Sequence, residues 1–330
     1  MLASNIENGA CVNAWISHES VHRNSSVSGL SVSTRPPGSA DNGQASTMVS
    51  ATYNAAARSV PFTRQSYLVC VTRRNVRQNR PVQSDTDIAG WLATLEERHL
   101  ADLTASEVGR ALRALSSCYV ERRARLADGA ALDSAGKRAA FALFYAPLHF
   151  LVTREVVRAL DAATPPITHI LDLGCGTGAA GAAWSQACAP CRITGVDRNG
   201  WAKAEAKWTY RQLGLPGRAI QADVGRTALP AASGEATLAA YTVNELPDAI
   251  RTALLPRMLD AHRGGARILV IEPIARRMAG WWNDWARVFV DAGGRADEWR
   301  FPAPLPERQR QLGRAAGLDP RELTARTLWL

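Results

Sequence analysis

Three glycines follow an aspartate near the middle of the chain and form its strongest chemical signal. The run is Asp172-Leu173-Gly174-Cys175-Gly176-Thr177-Gly178, and it stands between a predicted strand and a predicted helix. Glycine permits backbone conformations, and a close ligand approach, that a Cβ would block. In open α/β folds a ligand binds beyond the carboxyl ends of the strands. The turn therefore predicts a ligand site made by its three glycines.

The spacing of this turn and the acid before it favour S-adenosylmethionine (SAM) over a dinucleotide. A dinucleotide fold usually shows G-x-G-x-x-G, with the pyrophosphate at the helix N-terminus, whereas the spacing here is G-x-G-x-G. SAM has no phosphate but carries an amino group and a sulfonium. Asp172 suits such a cation better than it suits a pyrophosphate, so it is a candidate SAM-binding residue.

Two further acids stand at predicted strand ends. Asp197 ends the second strand and can accept both ribose hydroxyl protons, although NAD-binding folds place an acid similarly. Asp223 ends the third strand, where a side chain can meet the edge of an adenine. Together with Asp172 and the glycines, they complete the predicted cofactor site.

The end of the fourth strand faces the methyl group in this architecture, so the acceptor residues are sought there. Asn244 could orient an acceptor, Glu245 could take a proton or hold a cation, and Tyr241 stands beside them. The alternative is that Asn244 and Glu245 only form the turn and cap before a helix at 248–262. The chain lacks the Asn/Asp-Pro-Pro-Tyr/Phe signature there, and it lacks a cysteine on the fourth or fifth strand for covalent attack.

Several aromatic and acidic residues have two interpretations each. Glu272-Pro273 lines the acceptor side or merely ends a strand, and Tyr145 with His149 forms a lid over the pocket or a core pair. The cluster of Trp281, Trp282 and Trp285 forms a platform for a planar substrate or the buried face of a helix. The sequence favours the structural alternative for all three groups.

From Pro165 onward, strands and helices alternate. The predicted strands are 168–173, 192–197, 218–223, 236–242, 267–273, 298–301 and 323–329, and the helices between them are 179–188, 200–213, 248–262, 277–292 and 306–316. This alternation predicts an α/β fold with a doubly wound sheet and helices on both faces. The domain spans 164–330.

The first half of the chain divides in two. Residues 1–87 contain three leucines among many serines and asparagines, so we predict a disordered or non-globular tail. Residues 88–163 show helical periodicity and form a predicted helical extension. Within it, Thr104 and Glu107 form a capping box for a helix to about Leu126, and a third helix at 134–162 contains Pro147, where we predict a kink.

Composition narrows the class of protein. The net charge is +9, and residues 91–330 keep a net charge of +6, which permits RNA as a partner without establishing it. The six cysteines are scattered, and the lone Cys188-Ala-Pro-Cys191 lacks further ligands for zinc, so we predict free thiols and no metal. No apolar run reaches the ~18–20 residues that span a bilayer. We expect a cytoplasmic protein with no membrane partner; its oligomeric state stays open.

At these motifs the chain resembles the class I SAM-dependent methyltransferases. The resemblance rests on Leu171–Gly178, Gly195-Val-Asp197 and Ala222-Asp223. It implies a seven-stranded Rossmann-like sheet in which Gly174, Gly176 and Gly178 line the methionine part of SAM, Asp197 holds the ribose and Asp223 lies by the adenine.

A narrower resemblance concerns the helical extension together with Ala240–Leu246 and Leu269–Pro273. These segments are similar to the ribosomal small-subunit-associated methyltransferases of bacteria and mitochondria. Three hypotheses for the function follow: a methyltransferase acting on RNA or a ribosomal component such as the small subunit, which the sequence favours; one acting on a small molecule; and a non-catalytic assembly factor that keeps the SAM fold.

Overall fold

The computed structural model of the protein describes residues 72–75, 86–121, 132–188, 190–274, 280–303, 305–318 and 321–330. All of them belong to one compact unit. A second unit, Glu19–Leu68, lies outside the described residues.

One mixed sheet forms the centre of the described structure. Its strands are β1 (Thr72–Asn75), β2 (His169–Leu173), β3 (Arg192–Asp197), β4 (Gly217–Gln221), β5 (Glu235–Ala240), β6 (Arg267–Glu272), β7 (Arg295–Pro302) and β8 (Glu322–Trp329). They lie in the order β1-β7-β8-β6-β5-β2-β3-β4. Strands β2 to β6 are parallel, and β8 is antiparallel to its neighbours β6 and β7. Strands β2 to β8 form the predicted seven-stranded class I sheet, which is confirmed, and β1 adds an eighth strand at the edge next to β7.

The central parallel strands β2, β3, β5 and β6 are buried on both faces, as expected for strands that read as continuous apolar runs, whereas most of the edge strand β4 is exposed. The covering helices that alternate with the strands are α5 (Ala179–Ala187), α6 (Gly200–Gln212), α7 (Asp248–Arg263), α8 (Trp282–Asp291) and α9 (Glu307–Ala315). Successive side chains of β2 pack into two different hydrophobic cores. Ile170 packs in the core shared with the helical extension, and Leu171 packs in the core under α7 and α8.

The helical extension consists of α1 (Thr86–His99), α2 (Ala105–Glu121), α3 (Ala135–Ala140) and α4 (Ala146–Leu160). The predicted capping box begins α2: the Thr104 amide donates to Glu107 Oε2 at 2.8 Å, and the Glu107 amide donates to Thr104 Oγ1 at 3.3 Å. Such reciprocal bonds satisfy amides that the first helical turn leaves without partners. The predicted start of this helix is therefore confirmed.

The irregularity predicted at Pro147 takes the form of a π turn, Phe141–Tyr145, that joins α3 to α4. Pro147 has no amide hydrogen for the carbonyl of Leu143, four residues earlier. The side-chain amide of Gln309 donates to that carbonyl at 3.0 Å. Residues 135–160 form one helix that is apolar and long enough to cross a membrane, with a mean hydropathy of 1.3, but 83% of its apolar window is buried inside the protein. It is a core helix.

Some predictions fall outside the described residues. These are most of the tail 1–87, the end of the second helix beyond Glu121 and the start of the helix predicted from 277, whose described part begins at Trp282. Within the tail, Thr72–Asn75 forms strand β1, which pairs in parallel with β7. Strand β1 was not predicted because Thr-Arg-Arg-Asn has no apolar residue.

Candidate active site

A cavity of about 350 Å³ lies beyond the carboxyl ends of β2, β3, β4 and β5. Its wall comes from three sources: the turns after β2 to β4, the segment Tyr241–Pro247 after β5, and aromatic side chains of the helical extension. Cavities of ~300–1,000 Å³ are typical of small-molecule and cofactor sites. The cavity therefore stands at the position that the sequence predicts for a ligand.

All three glycines of the turn adopt left-handed backbone, with φ of +62° at Gly174, +53° at Gly176 and +78° at Gly178. A Cβ on Gly174 would lie 2.5 Å from Thr242 Oγ1, and one on Gly178 would lie 2.6 Å from the Tyr210 ring. Gly174 and Gly176 line the cavity, whereas Gly178 faces Tyr210 and caps α5. The structure thus explains why each position needs glycine, and ligand contact by Gly178 stays a prediction.

Asp172 is a buried carboxyl group at the wall of the cavity, with 1% of its surface exposed. Its Oδ2 accepts a hydrogen bond from the Gly181 amide at 3.2 Å. Burial raises the pKa of Asp172 to about 8, against the effect of that bond, and the nearby Asp197 raises it further. A cation bound beside the group would favour its ionised form. Asp172 therefore fits the sulfonium or amino group of SAM.

Asp197 connects the glycine turn to the end of β3. Its Oδ2 accepts from the Gly176 amide at 3.0 Å, and its Oδ1 accepts from the Asn199 amide at 2.7 Å. Burial raises its pKa, and these two amides oppose that shift. Asp197 also borders the cavity, so its carboxylate both shapes the turn and faces the predicted ribose position.

Asp223 stands at the rim of the same cavity, on the exposed side. Its Oδ1 accepts from the Gly225 amide at 2.7 Å and caps the short 3₁₀ turn Val224–Arg226. The structure thus brings Asp172, Asp197 and Asp223 together around one cavity from the ends of three adjacent strands. Their individual roles toward SAM remain predictions from the resemblance.

Tyr241 lies where β5 ends and has an unusual backbone, with a left-handed φ of 58°. Its ring stacks on His149 with the centroids 4.0 Å apart and the planes 23° from parallel. Both residues border the cavity. A non-glycine residue in left-handed backbone costs free energy and persists only where its surroundings fix it, often at functional sites. The stacked pair therefore lies at the end of β5, where the sequence analysis predicts the acceptor side.

The helical extension adds two more rings to this side, those of Phe141 and Tyr145. Tyr145 Oη lies 2.9 Å from Ser116 Oγ, and burial raises the tyrosine pKa to about 12. Burial lowers the pKa of His149 to about 3. Tyr145 is buried and His149 is partly buried, so the pair belongs to the core, as the favoured interpretation predicts, and also covers the cavity with groups that are uncharged at neutral pH.

The structure separates the two catalytic candidates. Glu245 is exposed and borders the cavity, whereas Asn244 does not border it. The Asn244 side chain accepts from Trp281 Nε1 at 3.0 Å and donates to Glu272 Oε2 at 2.8 Å. Both candidates belong to the 3₁₀ turn Val243–Glu245 before α7, which matches the turn alternative. Their catalytic roles stay predictions.

The tryptophan cluster follows its structural interpretation. Trp282 and Trp285 are buried in the core beneath α8, and Trp281 is partly buried. Glu272 is fully buried and faces Asn244 rather than the cavity. Cys188 and Cys191 are free thiols. Among the residues that the structure describes, there is no group of three or more histidine, cysteine or acidic side chains that could hold a metal ion.

Two residues of the site were missed from the sequence. Phe141 was missed although Phe141, Tyr145 and His149 recur every four residues, which is the spacing of one helix face. Thr242 carried no such signal. Its Oγ1 lies 2.9 Å from the carbonyl oxygen of Leu173 and 3.1 Å from that of Ala240, so it connects the ends of two adjacent strands.

Comparison with known proteins agrees with this geometry. Residues 170–265 match a family model described as a methyltransferase domain. The match covers β2 to α7, including the glycine turn and all three acids of the cavity. The chain holds a class I SAM-dependent methyltransferase domain. SAM is the methyl donor of this methyltransferase, and the seven-stranded sheet is that of the same class.

Several solved methyltransferase structures are similar to this chain, all at low sequence identity. Magnesium protoporphyrin IX methyltransferase from Synechocystis PCC 6803, with bound SAM, is 14% identical over 55% of this chain and 78% of its own, with a TM-score of 0.36. Mitomycin 7-O-methyltransferase is 16% identical over 72% of both chains, with a TM-score of 0.43. A SAM-dependent methyltransferase from Geobacter sulfurreducens, in complex with S-adenosylhomocysteine, is 16% identical over 56% of this chain and 90% of its own, with a TM-score of 0.36.

These likenesses are too weak to assign the acceptor. No curated protein sequence matches the chain. The similarities do not extend to the ribosomal branch of the family, so a ribosomal acceptor stays a prediction.

The cavity fits the donor chemically. SAM supplies an electrophilic methyl group on a sulfonium, and the cavity presents the buried Asp172 carboxyl group to a cation. A Cβ on Gly176 would lie 3.5 Å from the Phe141 ring, which is ordinary van der Waals contact, so the glycine leaves that space open beside the cavity. The predicted donor side of the methyltransferase therefore comprises Asp172, Gly174, Gly176, Asp197 and Asp223, which line one cavity; their contacts with SAM stay predictions.

Proposed function

We propose that this methyltransferase transfers the methyl group of SAM to a small molecule with a planar, largely apolar group. The observation that carries the proposal is the stacked pair of Tyr241 and His149 on the acceptor side of the cavity. Aromatic faces bind planar groups by stacking and edge contacts. With Phe141 and Tyr145 they form a largely apolar wall, which suits such an acceptor better than a flexible polar chain.

The cover of the cavity supports a small acceptor. Phe141, Tyr145 and His149 come from the helical extension; Phe141 and Tyr145 are buried and His149 is partly buried, so the site lies beneath a lid of packed helix. The cavity has a volume of about 350 Å³, which suits a cofactor and a compact acceptor group. A folded macromolecule could present only a single protruding group to it.

The protonation states on the acceptor side favour positioning over strong base catalysis. With a pKa lowered to about 3, His149 is neutral at pH 7 and takes up a proton poorly. Burial also raises the pKa of Tyr241 well above its ordinary value, and the charge of Glu272 raises it further. Orientation of the two reactants can supply much of the acceleration in such a displacement. We propose that Glu245, which borders the cavity, accepts a proton from the acceptor where one must be removed.

RNA is the second candidate, and charge is the observation that favours it. The chain has a formal net charge of +9, and Arg198 borders the cavity. A flipped base is a planar group that could enter such a pocket. Binding to RNA would then weaken steeply with added salt, because phosphate contacts release counterions.

Incubation with methyl-labelled SAM and cell extract separated into small molecules, protein and RNA tests the proposal. We expect label in the small-molecule fraction, and a Gly174→Ala variant as control should label nothing. Label that enters RNA alone, or protein alone, would refute the small-molecule acceptor. Absence of label, with S-adenosylhomocysteine still bound, would favour a non-catalytic role.

A further inference from the structure

A buried carboxylate binds the segment after β5 on the side away from the cavity. Glu272 ends β6 with 0% of its surface exposed. Its Oε1 accepts from the Asn244 backbone amide at 3.0 Å, and its Oε2 accepts from the Asn244 side-chain amide at 2.8 Å. The remaining polar atom of Asn244, Oδ1, accepts from Trp281 Nε1 at 3.0 Å. Asn244 is therefore fixed from both sides.

A buried arginine stands next to Glu272 in the sheet. In the register of β6 and β8, Glu272 lies opposite Arg326, and side chains of cross-strand partners share one face of the sheet. Arg326 is itself buried, and its guanidinium lies over the Trp282 ring at 4.1 Å. A buried charge needs an opposite charge and hydrogen bonds around it. Arg326 on the adjacent strand carries the opposite charge, and Asn244 supplies two hydrogen bonds.

The other side of this network is the cavity wall. Asn244 does not border the cavity, but Tyr241, Thr242, Glu245 and Leu246 around it do. Tyr241 is also the residue with left-handed backbone, so its ring direction depends on how the following turn is held. The contact between Glu272 and Asn244 therefore fixes the backbone of Tyr241–Leu246, and this backbone orients the side chains that line the cavity.

We propose that Glu272 is a positioning residue for the methyl acceptor. Through Asn244 it fixes Tyr241–Leu246, so that the Tyr241 ring and the Glu245 carboxylate face the acceptor. Glu272 itself touches neither donor nor acceptor. The inference deepens the proposed function and rests on it, since it takes this segment as the wall of the acceptor site.

Exchanging the hydrogen-bonding groups of Glu272 and Asn244 tests their contact, because each substitution keeps the size of the side chain. Glu272→Gln alone places an amide donor against one of the two Asn244 donors, and Asn244→Asp alone places two carboxylates together. The double variant restores complementarity: the new glutamine amide donates to the new aspartate, and its oxygen accepts from the backbone amide of residue 244. The other oxygen of the new aspartate still accepts from Trp281 Nε1.

Two measurements apply to the full chain and the three variants. The first is the rate of methyl transfer from labelled SAM into the extract fraction that the native protein labels. We expect each single variant to lose at least about tenfold in rate, because a displacement of about 1 Å at a reacting group can cost about 100-fold. The double variant should recover to within about threefold of the native rate. The second is calorimetric titration with S-adenosylhomocysteine, whose affinity should stay within about twofold throughout.

Several results would overturn the inference. These are single variants with native rates, a double variant no faster than the slower single variant, or affinity for S-adenosylhomocysteine that falls in step with the rate. The last result would show a role in the general fold.

Amide hydrogen exchange at 241–246 separates this inference from the proposed function. If the native protein binds S-adenosylhomocysteine but labels no fraction, the proposed acceptor fails. Faster exchange at 241–246 in both single variants, reversed in the double variant, would then still support the positioning of this segment. Unchanged exchange would refute it.

Discussion

The donor side and the acceptor side of the cavity are built by different means. The predicted donor side consists of main-chain conformation and carboxylates: two left-handed glycines and the acids at the ends of three adjacent strands. The acceptor side consists of rings from the helical extension that pack against a turn about 100 residues later, as His149 does on Tyr241. The donor side is thus specified within short stretches of chain, whereas the acceptor side exists only after the extension has packed on the sheet.

This difference explains how the two sides can be altered. Changes to the donor side should act on SAM affinity, and changes to the acceptor side should act on turnover while SAM binding persists. Each of the following experiments tests whether the two sides can be altered separately.

The largest effect is expected from Gly174→Ala. The new Cβ would lie 2.5 Å from Thr242 Oγ1 at a residue with φ of +62°. Left-handed backbone alone costs ~1–2 kcal/mol for alanine, and the clash must in addition displace the turn, so calorimetry should show SAM affinity falling by at least ~100-fold.

Gly214→Ala is the matched control. Gly214 has nearly the same φ, +63°, but an added Cβ meets nothing within 4 Å. It should lower the free energy of unfolding by ~1 kcal/mol and leave SAM affinity unchanged. Equal losses of SAM affinity in the two variants would show that backbone strain, and not the site, causes the effect.

Asp197→Ala should rank second. It removes the acceptor of the Gly176 and Asn199 amides together with the predicted ribose contact. Hydrogen bonds to charged groups contribute ~1.5–3 kcal/mol, so we expect a loss of SAM affinity of ~10–100-fold. Asp223→Ala, at the exposed rim, should lose only a few fold. If Asp223→Ala weakened binding more than Asp197→Ala, the ribose assignment would be wrong.

SAM affinity should also depend on pH through Asp172, whose pKa is raised to about 8. Below that pH the carboxyl group of the free protein is mostly protonated, and a bound cation needs the ionised form. Affinity should therefore rise with pH, by up to about tenfold per unit between pH 6 and 7.5, where an α-amino group keeps its proton. Asp172→Asn should abolish this slope in calorimetric titrations, and a slope that survives in the variant would assign it to another group.

The smallest effect, and the one most specific to the acceptor side, is expected from His149→Ala. Aromatic pairs contribute ~0.5–1.5 kcal/mol beyond their buried area, so the kcat/KM for the acceptor should fall about twofold to tenfold. SAM affinity should stay within about twofold of the native value. His149→Phe keeps a ring against Tyr241 and should retain most of the activity. A parallel fall in SAM affinity would remove the distinction between the two sides.

The same difference decided what the sequence could reveal. Gly174, Gly176 and Asp172 are adjacent in the chain, and Asp197 and Asp223 stand at the ends of apolar strands, so local spacing sufficed to predict them. The order of strands and helices was equally legible, because parallel strands buried on both faces read as apolar runs.

Long-range contacts were not legible in this way. Asn244 was predicted to orient the methyl acceptor because it follows β5. Its side chain instead forms hydrogen bonds with Glu272 and Trp281, which lie 28 and 37 residues later in the chain. The π turn at Phe141–Tyr145 has no sequence pattern of its own. The stacking of Tyr241 on His149 follows from how α4 packs, which periodicity does not specify.

Thr242 gives the two sides a common boundary. Its hydroxyl reaches the carbonyl oxygen of Leu173, next to the glycine turn, and its backbone belongs to the acceptor wall. We therefore expect any shift of the turn on donor binding to move the wall, which would amount to a coupling free energy between the two ligands. Such coupling is reciprocal: whatever factor SAM imposes on the affinity of the acceptor, the acceptor imposes on the affinity of SAM.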